Sequence, residues 1–235
     1  MDRRTPVFIV CSPLPRVGKT LIARLLVEFF ATDGRPVAAF DLNPDGYALA
    51  AQVPEHAVVA NINGTKGQMA LFDQLIVADR TAKVVDVGYG NFDSFFAVMQ
   101  DIGFVGEASY RSVAPVIMFM SEPDHRSARA YAKLRDRFPE VSFVPVLNAG
   151  TTPETRARSN AKADFSGVPV HIPALSSALR AAVAEVGFSS ALAGYETADL
   201  RDELVAWIRR IFLQFREMEL RLLLEDLKPA LRLRA

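Results

Sequence analysis

The chain has 235 residues, half of them hydrophobic, and 27 lysines and arginines balance 27 aspartates and glutamates. That is enough apolar material for one large domain, and a formal net charge of zero excludes a global pull toward nucleic acid or anionic membrane, leaving only local patches. A single cysteine, Cys11, and three scattered histidines, His56, His125 and His171, exclude a disulfide framework and a thiolate or imidazole metal site; the expected compartment is the reducing cytoplasm.

In chain order, short apolar runs rich in Val, Ile and Phe alternate with helical patterns. The runs cover residues 6–12, 36–42, 56–62, 82–88, 114–120, 142–148 and 167–173. Amphipathic helices are predicted over 19–34, closed by Gly34, and over 67–79 and 124–138. Near-continuous apolar strands separated by helices predict a doubly wound, mostly parallel α/β domain of three layers. The basic then apolar N-terminus is interrupted by Pro13, Pro15 and Arg16 before it reaches the length of a signal peptide or membrane span. Residues 151–166 are polar and read as a loop or short helix.

From Ala198 to Leu227 there is neither Gly nor Pro, and Leu204, Ile208, Ile211, Phe215, Met218 and Leu222 alternate at spacings of four and three. This predicts a long helix with a continuous apolar seam, packed on its own domain, against a second copy, or on a membrane or partner. Trp207, Arg209, Arg210, Ile211 and Phe212 would serve the last of these, but Glu217, Glu219, Glu225 and Asp226 argue against an anionic membrane. Packing on its own domain is the ordinary expectation for such a seam, and of the other two the heptad spacing puts a homodimer contact ahead. The expected division is a core domain over 1–190 and a helical extension over 191–235, packed on that domain or at a dimer interface.

The chemistry concentrates after the first strand. Gly18, Lys19 and Thr20 follow an apolar run and open a helix, where a phosphate loop needs backbone N–H groups, a lysine for the β and γ phosphates and a hydroxyl for Mg²⁺. Asp41 and Asp86 each end a later strand, at the sheet edge where α/β proteins bind ligands, and supply carboxylates for a Mg²⁺ environment. Glycines after Asp86 suggest a mobile loop.

In order, "CSPLPRVGKT", "VAAFDLNPDG", "VVDVGYGN", "VPVLNAG" and "VHIPALSSALRAA" resemble the motifs of the ParA/MinD family of deviant-Walker P-loop ATPases. The resemblance implies an ATP cradle of Pro15, Arg16, Val17, Gly18, Lys19, Thr20 and Leu21. It implies that Lys19 meets the β and γ phosphates, that Thr20, Asp41 and Asp86 hold Mg²⁺ directly or through water, and that Asn148 meets adenine, with Pro173 also in the cofactor-binding set. An ATP-gated switch acting in positioning, partition or DNA transfer, working as a homodimer, is the function it implies.

The departures from that family are specific. Leu14 stands where the family has the lysine that reaches the partner subunit's nucleotide, and Pro15 and Arg16 replace paired glycines. Proline offers no N–H to a phosphate. Arg16 either restores a positive charge near the γ phosphate or is an ordinary solvated loop residue. Asn43 replaces the second aspartate of Asp-x-Asp-Pro; an amide orients water but does not take its proton, so slow hydrolysis is expected, unless Asp45 substitutes. Lys19 and Asp41, with Arg16 and Asn43, form the candidate catalytic set. A non-hydrolysing ATP-binding scaffold on the same fold is the alternative, as is a ligase similar to dethiobiotin synthetase, whose loop "PRVGKT" resembles. Arg126, Arg129, Lys133 and Arg137 form a basic stripe, either a solvated helix face or, as in ParA-like proteins, a surface for non-specific DNA.

Overall fold

The computed structural model describes residues 4–43, 46, 48–150, 165–185, 188 and 198–232. Seven parallel strands are β1 (Thr5–Cys11), β2 (Val37–Asp41), β3 (Ala57–Val59), β4 (Ala82–Asp86), β5 (Val113–Met120), β6 (Ser142–Asn148) and β7 (Val170–Ile172). They lie in the order β3-β2-β4-β1-β5-β6-β7, so β1 is central and the chain winds outward to both edges. The helices are α1 (Lys19–Thr32), α2 (Ala48–Gln52), α3 (Thr65–Leu75), α4 (Phe92–Asp101), α5 (Phe104–Tyr110), α6 (His125–Arg137), α7 (Ser177–Glu185) and α8 (Ala198–Arg232). All seven predicted strands form, as does the doubly wound class. The reading of residues 151–166 as a loop or short helix falls almost wholly outside the described residues, as do Asp45 and the 190/191 boundary.

Alternate residues of each central strand feed two cores, as a sheet covered on both faces requires. Phe8 and Val10 face α1, α7 and α8; Val7, Ile9 and Cys11 face α3, α4, α5 and α6. Burial pushes the Cys11 thiol well above its ordinary range, so it behaves as an inert core residue.

The α8 seam is spent inside the chain. Leu204, Ile211, Phe215 and Met218 are fully buried, Ile208 and Leu222 half-buried, all in the core beneath α1. Phe29 of α1 meets Phe212 and Phe215 edge-on at 5.3 and 5.6 Å. The seam therefore packs on its own domain, one of the placements its spacing allows. Trp207 is buried too, and its Nε1 donates to Pro173 O at 2.8 Å, while Gln214 pairs with both backbone groups of His171 on edge strand β7. The exposed residues of α8 include Leu213, Leu220 and Leu224, on another face. No helix among the described residues is long and apolar enough to cross a membrane.

Candidate nucleotide site

The loop between β1 and α1 sits at the C-terminal edge of the central strand. Gly18 caps α1 with φ +92°, a left-handed conformation that lets the chain turn straight into the helix, and no side chain caps the first turn. A Cβ at Gly18 would meet Asn148 Nδ2 at 2.4 Å. Asn148, at the end of β6, donates that same Nδ2 to Val17 O at 3.1 Å and accepts from Gly150 N at 2.9 Å. The asparagine that the resemblance assigns to adenine is thus engaged with the loop between β1 and α1 itself.

The front of the loop is built differently from its rear. Leu14 is 6% exposed and packs into the core under α1, so the position of the family's subunit-crossing lysine is an interior apolar side chain. Its N–H donates to Ser12 Oγ at 3.1 Å and its carbonyl accepts Lys19 Nζ at 2.9 Å. Lys19 is itself buried; desolvation lowers its pKa, opposed by the nearby charge of Asp86. Pro15 and Arg16 are exposed, Arg16 with φ +56°. Val17 is buried, while Thr20 and Leu21 are half-buried at the start of α1.

β2 and β4 are neighbours in register, with Asp41 opposite Asp86, and Asp86 is opposite Val10 of β1. Both carboxylates are fully buried, but their oxygens are spent differently. Asp41 Oδ2 accepts from Leu49 N and Ala50 N at 2.9 and 3.1 Å, anchoring the start of α2, and Oδ1 accepts from both Asn43 N and Asn43 Nδ2 at 3.0 Å. Asp86 Oδ2 accepts from Thr20 Oγ1 at 2.6 Å and from Asn43 Nδ2 at 2.7 Å. Asp86 Oδ1 is buried without a hydrogen-bond partner among the described residues. Burial pushes the Asp86 carboxyl up to about 6, with Asp41 adding to the rise and Thr20, Lys19 and Asn43 opposing it.

Loop closure here depends on residues that motif reading did not single out. Asn91 Nδ2 donates to Leu42 O at 2.7 Å, tying the loop after β4 to the loop after β2. Gly88 serves close approach more than mobility: a Cβ there would meet Leu42 O at 2.9 Å and Asn43 Oδ1 at 3.0 Å. Nothing in "GYGN" as a sequence signals either contact. Pro173, half-buried, lies on the loop leaving β7 and is held by Trp207.

Arg126, Arg129 and Lys133 are exposed and, with His125, line a shallow concavity on α6, while Arg137 donates to Gln100 Oε1. No group of three His, Cys, Asp or Glu side chains with metal-binding geometry occurs among the described residues.

No protein-family model matches this chain, and no curated protein does. Among solved structures, a nucleotide-binding protein from Archaeoglobus fulgidus in complex with ADP is similar at TM-score 0.46 and 15% identity, over 77% of this chain and 85% of that one. FtsY from Mycoplasma mycoides is similar at TM-score 0.42 and 12% identity, over 63% of this chain and 53% of that one. Likenesses this distant do not reach the chemistry, which rests on the residues above.

The donor set fits a hard divalent cation accompanying a phosphate. Thr20 Oγ1 and the orphaned Asp86 Oδ1 are oxygen ligands of the kind Mg²⁺ takes, and they share a rim with Lys19 and the uncapped start of α1. Asp41, with all its bonds made to the loop and α2, serves in this state as the brace behind them.

Proposed function

We propose that the protein binds ATP with Mg²⁺ at the rim of β1, β2 and β4 and acts as a nucleotide-gated switch of the ParA/MinD type. The observation that carries this reading is the orphaned, buried Asp86 Oδ1 beside Thr20 and Lys19, a polar atom that a cation held by phosphate would satisfy. Thr20 and Asp86 would hold the metal, which would screen phosphate charge; Asp41 would keep the surrounding loop in place. Lys19 would leave Leu14 O for the phosphates, and Arg16, the exposed cation of the loop, would be the nearest replacement for the family's missing lysine.

Because Asn43 ties the loop after β2 to Asp86, and Gly88 and Asn91 tie the loop after β4 to the same segment, a change at Asp86 reaches both loops together. That is the two-loop element a γ-phosphate switch needs. Hydrolysis would be slow or dependent on a partner, since position 43 offers an amide and not a base. A homodimer belongs to the same proposal, formed at the nucleotide face and not through the α8 seam. Non-specific DNA at the α6 concavity is the partner chemistry its cations suit.

A second reading, a non-hydrolysing ATP-binding scaffold, is favoured by the same Asn43, whose amide stands between both rim carboxylates. Phosphate release measured with partner or DNA present separates the two. Lys19→Ala tests the site common to both: calorimetric titration with Mg-ATP should show binding to the wild type and none to the variant, and equal affinities would reject the nucleotide assignment.

A further inference from the structure

Two buried carboxylates in register on adjacent strands repel each other unless something positive lies between them. In this protein a neutral group does that work. The Asn43 carboxamide uses both N–H bonds, one to Asp41 Oδ1 at 3.0 Å and one to Asp86 Oδ2 at 2.7 Å, while its backbone N–H makes a third contact to Asp41. The bridge fixes the Asp86 carboxylate by one oxygen and leaves the other, Oδ1, buried and unpartnered among the described residues. Turning the amide over would set its oxygen against both carboxylates and lose both N–H bonds, which fixes its orientation.

We propose that Asn43 is a positioning residue that stands in for a cation between Asp41 and Asp86: it aims Asp86 Oδ1 at the metal position and prevents a divalent cation from settling between the two carboxylates before nucleotide arrives. This rests on the nucleotide-site reading above and adds an order to it. The cation binds only with phosphate, because among the described residues the protein alone offers it one free carboxylate oxygen and the Thr20 hydroxyl, too few ligands for a hard ion. An aspartate at position 43 would remove the two N–H donors and put a third carboxylate within contact distance of the other two. Such a cluster needs a cation of its own.

The experiment uses the full chain, with Mn²⁺ as the only ligand and no nucleotide, so that it is decided independently of ATP affinity. Free Mn²⁺ is counted by electron paramagnetic resonance, and thermal unfolding is followed with and without the ion. Wild type should show no Mn²⁺ uptake in the low-millimolar range. Asn43→Asp should bind Mn²⁺ alone, tighter by roughly tenfold or more, and should unfold at a lower temperature than wild type until Mn²⁺ is added. Should Asn43→Asp fail to fold, the exchanged pair Asn43→Asp with Asp86→Asn decides the matter. It restores one amide among two carboxylates and should regain most of the wild-type stability without gaining Mn²⁺ affinity. Uptake of Mn²⁺ by wild type equal to that of Asn43→Asp would overturn the proposal. So would an Asn43→Asp protein unchanged in stability and metal affinity, or an exchanged pair no more stable than the single variant. Loss of the ATP-binding difference between wild type and Lys19→Ala would instead strike the nucleotide reading and leave these metal readings as they are.

Discussion

Gly18→Ala tests how tightly the loop between β1 and α1 is held by the end of β6. An L-residue in the left-handed conformation costs about 1–2 kcal/mol, and Gly18 sits at φ +92°. The new Cβ would also stand 2.4 Å from Asn148 Nδ2, which must move and give up its bond to Val17 O, a further loss of about 1 kcal/mol. Alanine restricts the unfolded chain, which returns about 0.4–1 kcal/mol. The net loss is about 1–2.6 kcal/mol, and at roughly 2–4 °C per kcal/mol for a domain of this size it lowers the unfolding temperature by about 2–10 °C. Scanning calorimetry on four proteins, wild type, Gly18→Ala, Asn148→Ala and the double variant, separates the two contributions. In the Asn148→Ala background the side-chain clash is gone, so Gly18→Ala should cost about 1 kcal/mol less than it does in wild type. Additive losses would mean that Asn148 does not buttress the loop, and an unchanged unfolding temperature in Gly18→Ala would refute the conformational argument as well.

Two more predictions concern the rim and the long helix. The Asp86 carboxyl is held at about 6 against an ordinary 3.8, so between those values the folded chain keeps a proton that the unfolded chain has lost. Stability from this group therefore falls as pH rises from about 4 to about 6, by about 3 kcal/mol in all, and stays at the lower level above. Urea unfolding of wild type and Asp86→Asn across that range should show the variant gaining relative stability with rising pH; parallel curves would contradict the assignment. Phe215→Ala, at a fully buried seam position against Phe29, should cost about 3–5 kcal/mol, with sedimentation of the folded protein unchanged. A shift in association with little loss of stability would return the seam to a partner.

The strands were legible because a parallel sheet buried on both faces leaves uninterrupted runs such as "PVFIVC" and "APVIMFM", and the turn into α1 was legible because few residues other than glycine fit at φ +92°. Asp41 and Asp86 were placed at one rim by the same logic. Their division of labour was not legible, because it depends on which backbone N–H groups fold back onto a carboxylate, and the donors to Asp41 Oδ2 come from Leu49 and Ala50, eight and nine residues on. Asn43 read as a lost aspartate; only its distances to both carboxylates make it a bridge. The α8 seam shows another limit. A 3–4 spacing specifies an apolar stripe but not its occupant, and here the occupant is Phe29 and the core beneath α1.

The same distances narrow what the unusual loop can do. Leu14 N is taken by Ser12 Oγ, Leu14 O by Lys19, and Pro15 has no N–H, so the front half has no backbone donor left for a phosphate at those two positions. A phosphate bound as proposed would be held by the rear half, continuous with the uncapped first turn of α1. Leu14 is locked in the core and cannot reach across to another subunit, whatever its oligomeric state. Arg16, by contrast, is exposed, and its backbone is left-handed at φ +56°.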